Sequence, residues 1–190
     1  MRQDGERGGD VGQTDVGTSF EAFVGERGPA LLRLAWLLCA DADAAEDLVQ
    51  EALVKVLPRW RRIVAGGAPE PYVRSVIRTT FIDGWRRRRL REVLVDDDVH
   101  FGDERAAVDP AGDAAVRLTV QAALMRLTAR QRAVLVLRFY EDLTEAAAAR
   151  ELGCSVSTVK SQTRHAIARL RVLAPELADL FDHPQPEEVR

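Results

Sequence analysis

Residues Arg126 to Arg171, RLTARQRAVLVLRFYEDLTEAAAARELGCSVSTVKSQTRHAIARLR, carry the clearest helix signals of the chain. Its punctuation divides it into successive helices. Thr128, with Gln131 at the third position after it, predicts a capping box. Val134, Leu135, Leu137 and Arg138 carry that helix to about Tyr140. Thr144 caps a short alanine-rich helix that stops at Gly153, a residue able to take the left-handed conformation after a helix end. Ser155 caps the next helix. Two helices joined by a short glycine-containing turn form a helix-turn-helix, whose second helix can enter a DNA major groove.

The phase of that second helix supports the same reading. Val159, Thr163, Ala166 and Leu170 fall on one face and pack inward, while Ser157, Lys160, Ser161 and Arg164 fall on another. Thr158, Gln162, His165 and Arg169 flank the outer set. One face thus carries donors suited to base edges, and its flank carries phosphate partners. No acidic residue lies between Gly153 and Arg171. The free N-terminus of the helix adds its dipole for a phosphate.

This local basicity stands out in an acidic chain. The 190 residues carry a formal net charge of -3, with a pI of about 5.7. Bulk attraction to nucleic acid or anionic lipid is therefore excluded, and any such attraction has to come from patches. Cys39 and Cys154 sit in unrelated contexts, and with His100, His165 and His183 they show no metal-ligand spacing. Neither a metal nor another cofactor is expected, and a disulfide framework is not, so a reducing, cytoplasmic setting is the expectation. No run approaches the ~18 apolar residues of a membrane span, so no membrane partner is expected. The start lacks the apolar segment of a signal peptide and reads as a flexible tail, 1–17.

Helical periodicity dominates the first half as well. Phe20, Phe23 and Val24, then Leu31, Leu34, Ala35 and Leu38, recur at helical steps, with a break expected at Gly28-Pro29. Asp43 with Glu46 predicts a second capping box, followed by an inward stripe of Leu48, Ala52 or Leu53, Val56 and Leu57 up to Pro58. RRIVAGGAPEP (Arg61–Pro71) reads as a loop. A helix is expected from Pro71 to about Arg89, with Val73, Val76, Ile77, Thr80, Phe81 and Trp85 inward. WRRRRLR (Trp85–Arg91) is then followed by seven acids against one arginine between Asp96 and Asp113, which reads as a linker. The expectation is an all-α chain, with two small helical domains (18–92 and 114–175) joined by a flexible acidic linker (93–113). A tail (176–190) follows. The linker's charge suggests that it folds back on the basic faces at Arg86–Arg89 and Lys160–Arg169.

LTARQRAVLVLRFYEDLTEAAAARELGCSVSTVKSQTRHAIARLR resembles the C-terminal promoter-binding domain, region 4, of sigma-70 family RNA polymerase sigma factors. DADAAEDLVQEALVKVLPRW followed by PYVRSVIRTTFIDGWRRRR resembles their region 2. Only these two blocks are present, the layout of the extracytoplasmic-function (ECF) group, and the wording is most like its actinobacterial sigma-E-like branch. The resemblance implies a subunit that binds core RNA polymerase, through its beta and beta-prime subunits, and recognises promoter DNA at its -35 and -10 elements. It implies that Asp47, Gln50 and Glu51 face the polymerase. It implies that Arg61, Arg62, Thr79, Trp85, Arg86, Arg87, Arg88 and Arg89 meet the -10 element, with the Arg61–Pro71 loop housing a base turned out of the stack. The -35 element falls to Ser157, Thr158, Lys160, Ser161, Gln162, Arg164, His165 and Arg169. An anti-sigma factor is a common partner in the family. Thr79 stands where the family commonly has Asn, and Gln162 and His165 stand where it commonly has Arg.

Two other readings stand beside this one. A free-standing helix-turn-helix regulator would bind a palindromic site unaided, and the acidic AEDLVQE helix and single DNA domain argue against it. A small enzyme with an incidental helix-turn-helix would need a catalytic constellation, and no P-loop, nucleophile motif or metal cluster is present in the sequence, so no catalytic residue is expected.

Overall fold

The computed structural model describes residues 11–93 and 122–175, with side chains from 19 to 87 and from 122 to 175. Residues 1–10, 94–121 and 176–190 lie outside the described residues, and with them the acidic linker, the C-terminal tail and most of the N-terminal one. The described residues are helical with no strand among them. Contacts divide the chain into two units. The first is built from residues up to Trp36 and from Ala42 to Phe81, the second from Leu37–Asp41 and from Ile82 onward.

Helix α1 (Val11–Cys39) opens the first unit and runs straight through the expected break, with Pro29 inside it. An interior proline costs about 3 kcal/mol. Leu31, Leu34 and Leu38 beyond it and Phe23 before it are all buried, and each contributes about 1.5–3 kcal/mol. Burial on both sides outweighs the proline, so the Gly28-Pro29 signal does not end the helix. The helix also starts at Val11, inside the stretch read as a tail, because extending a formed helix is far less costly than nucleating one.

Helix α2 (Ala42–Val56) buries Ala45, Leu48, Val49, Ala52 and Val56. It begins one residue before Asp43, which lies in the first turn rather than capping it. A 3-10 turn at Leu57–Arg59 carries Pro58, then α3 (Trp60–Ala65) follows. The expected loop therefore shrinks to 66–68, and Arg61 and Arg62 stand on a helix. Hydrophobic burial against distant residues decided this: Trp60 and Ile63 are buried, and Trp60 meets Phe20 edge-on at 5.1 Å and Phe23 at 4.9 Å. Such aromatic pairs add about 0.5–1.5 kcal/mol each beyond their area. Gly67 takes φ +79° at the turn. Helix α4 (Pro69–Val93) begins with Pro69 and Pro71 in its first turn, where a missing N–H does no harm.

In the second unit a helical turn at 122–125 precedes α5 (Ala129–Leu135), whose Thr128–Gln131 capping box forms as expected. The chain continues through a π-helical turn, Val136–Tyr140. Helix α6 (Glu145–Leu152) and helix α7 (Val156–Leu173) complete the unit. Both α5 and α6 pack chiefly against α7. Ala166 and Leu170 join Ala123, Leu124, Leu127 and Leu135 in one buried cluster.

Candidate nucleic-acid interface

The geometry of the α6–α7 corner follows from its caps. Thr144 Oγ1 accepts from the Ala147 N–H at 3.1 Å. At the far end Gly153 adopts φ 60°, ψ 44°, left-handed. The Cys154 N–H then reaches back to the Ala149 carbonyl at 3.0 Å. A side chain at Gly153 would be strained by about 1–2 kcal/mol, so the glycine fixes the angle at which α7 departs. Ser155 Oγ accepts from the Thr158 N–H at 3.1 Å and shares hydrogen bonds of 2.8 Å with the Ser157 and Thr158 hydroxyls. These hydroxyls crowd the positive end of the α7 dipole, a place suited to phosphate oxygen.

Along α7, Val159, Ala166 and Leu170 are buried. Ser157, Lys160, Arg164, His165 and Arg169 are exposed, and Thr158, Ser161 and Gln162 are half-buried. Thr163 faces inward as its phase requires, and its hydroxyl is buried with no hydrogen-bond partner among the described residues. One continuous helix thus brings all the sequence-derived -35 residues together. It also pairs Lys160 with Glu145 of α6 at 3.2 Å, a contact that sequence reading did not raise.

The -10 candidates are less uniform. Arg61 and Arg62 are exposed on α3, and Thr79, Trp85, Arg86 and Arg87 follow along α4, exposed except for the half-buried Trp85. The side chains of Arg88 and Arg89 lie outside the described residues. Thr79 Oγ1 donates toward the Ser75 and Val76 carbonyls at 3.0 and 3.1 Å. With its proton directed at its own helix, the Thr79 hydroxyl has lone pairs left to accept, whereas an Asn amide both donates and accepts. Arg86 donates to the Glu151 carbonyl at 3.4 Å.

On α2, Asp47, Gln50 and Glu51 are exposed, and Glu51 is bridged to Lys55 at 2.7 Å. Lys55 also donates to Thr80 Oγ1 at 3.0 Å. The same face continues into apolar residues that sequence reading missed. Val54, at seven residues from Asp47, is 71% exposed, and Leu57 is 50% exposed although its spacing placed it inward. The signal for Val54 was available, since it stands off the inward stripe. Leu57 turned outward because the 3-10 turn at Pro58 changes the phase.

Among the described residues no His, Cys, Asp or Glu cluster could hold a metal ion. No helix there is long and apolar enough to cross a membrane.

Comparison with known proteins bears on these surfaces. The family descriptions "Sigma-70 region 2" and "Sigma-70, region 4" match residues 23–91 and 117–170. The RNA polymerase sigma-E factor of Streptomyces avermitilis is 38% identical over 156 residues, covering 80% of this chain and 83% of that one. The ECF RNA polymerase sigma factor SigL of Mycobacterium tuberculosis is 34% identical over 160 residues, covering 82% and 89%. Among solved structures, the sigma factor RpoE in complex with the anti-sigma factor NepR from Bartonella quintana matches with a TM-score of 0.58 and 30% identity. That match covers 83% of this chain and 97% of the other.

Proposed function

The chain belongs to the ECF group of the sigma-70 family of RNA polymerase sigma factors, and on that premise we propose how its surfaces divide the work of initiation. It binds core RNA polymerase and directs it to promoters by reading the -35 and -10 elements. The observation that carries this reading is α7: a capped, acid-free helix with Ser157, Lys160, Ser161 and Arg164 outward, on a chain whose net charge is negative. Thr158, Gln162, His165 and Arg169 hold flanking phosphates, and the N-terminus of α7 adds its dipole.

Domain 18–92 carries core binding, through Asp47, Gln50 and Glu51 with Val54 and Leu57 beside them. It also carries -10 recognition, through Arg61, Arg62, Thr79, Trp85 and Arg86–Arg89. Domain 114–175 carries -35 recognition. The protein breaks and forms no bond itself, and it works in the cytoplasm, where its polymerase and DNA are. An anti-sigma factor is the further partner that the RpoE–NepR neighbour suggests.

Run-off transcription from a genomic promoter library, with core polymerase alone and with core plus this chain, tests the proposal. New start sites that require both components are expected. Transcripts unchanged by the chain, or an effect on DNA without core, would replace this reading with a free-standing regulator.

Arg164→Ala gives a sharper check on the docking of α7. A good base contact is worth about 1–3 kcal/mol of discrimination, so the variant should lose roughly tenfold in transcription from the preferred promoter and relax base choice at one or two -35 positions. Arg169→Ala should instead weaken all promoters alike and flatten the salt dependence. An Arg164 variant with unaltered base preference would contradict the docking.

A further inference from the structure

The Glu145–Lys160 pair borders a hollow of about 460 Å³ that lies between the start of α6 and the Lys160–Arg171 side of α7. Lys160 is one of only two lysines among 27 basic residues, and the other, Lys55, lies on α2. Thr163 and Arg164 also line the hollow. The Lys160 side chain is 58% exposed and that of Glu145 only 24%. The carboxylate is thus the more enclosed member of the pair and the ammonium the more exposed one. Helix α7 itself carries no acid.

Resting on the reading of α7 as the major-groove helix, we propose that Glu145 is a positioning residue that sets -35 specificity by holding Lys160 away from indiscriminate phosphate contact. A paired lysine brings no net charge to the duplex, so it adds little to sequence-independent binding, which scales with the number of phosphates neutralised. To reach DNA it must leave the carboxylate. A guanine edge, with two acceptors side by side, compensates for that loss better than a single screened phosphate does. The correct sequence therefore recruits Lys160 and a wrong one leaves it with Glu145. Discrimination arises here from a competing interaction rather than from a stronger contact.

The test uses holoenzyme reconstituted with the full chain, a -35 duplex selected by that holoenzyme from a randomised pool, and a scrambled duplex. Fluorescence anisotropy is measured from about 50 to 200 mM salt, the range over which phosphate contacts are lost. Glu145→Gln frees Lys160 and should steepen the salt dependence on scrambled DNA by about one phosphate, an extra loss of about 3.5-fold over that range. Its preference for the selected duplex should fall by several-fold, and Glu145→Asp should retain it. In a Lys160→Ala background the Glu145→Gln effect should vanish. A loss of helix stability alone would move the melting temperature and leave the salt slope unchanged.

An unchanged slope and preference in Glu145→Gln would overturn the proposal. So would an effect that persists without Lys160, since Glu145 would then act on DNA directly. A wild-type holoenzyme that selects no -35 sequence would instead overturn the docking of α7, and this inference with it.

Discussion

Alanine at Asp47, Gln50, Glu51, Val54 and Leu57 together should lower the affinity for core polymerase at least about 100-fold while leaving helical content intact. The size follows from the composition of the face. Interface energy concentrates in a few desolvated apolar anchors, each costing about 2 kcal/mol or more on truncation, and every 1.4 kcal/mol is about tenfold. Val54 and Leu57 are the large apolar residues that this helix and its following turn leave exposed. Truncating exposed side chains should alter folding stability by about 0.5 kcal/mol or less. The two parts of the face should separate kinetically. The charged and amide triple should slow association and weaken its salt dependence, whereas the Val54/Leu57 pair should speed dissociation. Co-elution with core on gel filtration and surface-plasmon kinetics measure both. A variant with all five changes that co-elutes as wild type does would make this face of α2 a solvated surface.

Arg132→Ala should destabilise the second unit by about 3 kcal/mol or more, the scale of several buried acceptors left unpaired. Arg132 is only 7% exposed. Its Nε donates to the Leu38 carbonyl at 2.8 Å and its two terminal nitrogens to those of Leu124 and Leu127, each at 3.2 Å, and Cys39 at 3.1 Å. Leu38 and Cys39 lie in the last turn of α1, where carbonyls have no partner within the helix. The guanidinium caps that end, and its charge suits the negative pole of the dipole. Burial pushes its pKa below the ordinary value, opposed in part by the neighbouring Cys39. Removing it strands buried carbonyls, each at a cost of about 1–3 kcal/mol. Arg132→Lys keeps the charge but loses the planar fork and should recover only part of the loss. Urea unfolding followed by circular dichroism reads the difference. Equal midpoints for the wild-type and Arg132→Ala proteins would show that water replaces the guanidinium without penalty.

Elements whose signals lie within a few residues of one another follow from the local chain alone. The Thr128–Gln131 box, the Thr144 and Ser155 caps and the left-handed Gly153 all form where spacing placed them. The faces of α7 followed because helical period alone sorts Val159, Ala166 and Leu170 from Lys160 and Arg164. Other features depend on partners distant in sequence and are set by packing. Pro29 remains inside a helix because residues on both sides of it are buried. Arg61 and Arg62 stand on a helix because Trp60 packs on Phe20 and Phe23, some forty residues earlier. Arg132 stands at an inward phase beside Leu135 and Val136, a visible oddity, but its acceptors at Leu38 and Cys39 are over ninety residues away. The Glu145–Lys160 pair likewise exists only because the turn at Gly153 folds α6 across α7. Local periodicity specifies which way a side chain points, and only the fold specifies what it meets there.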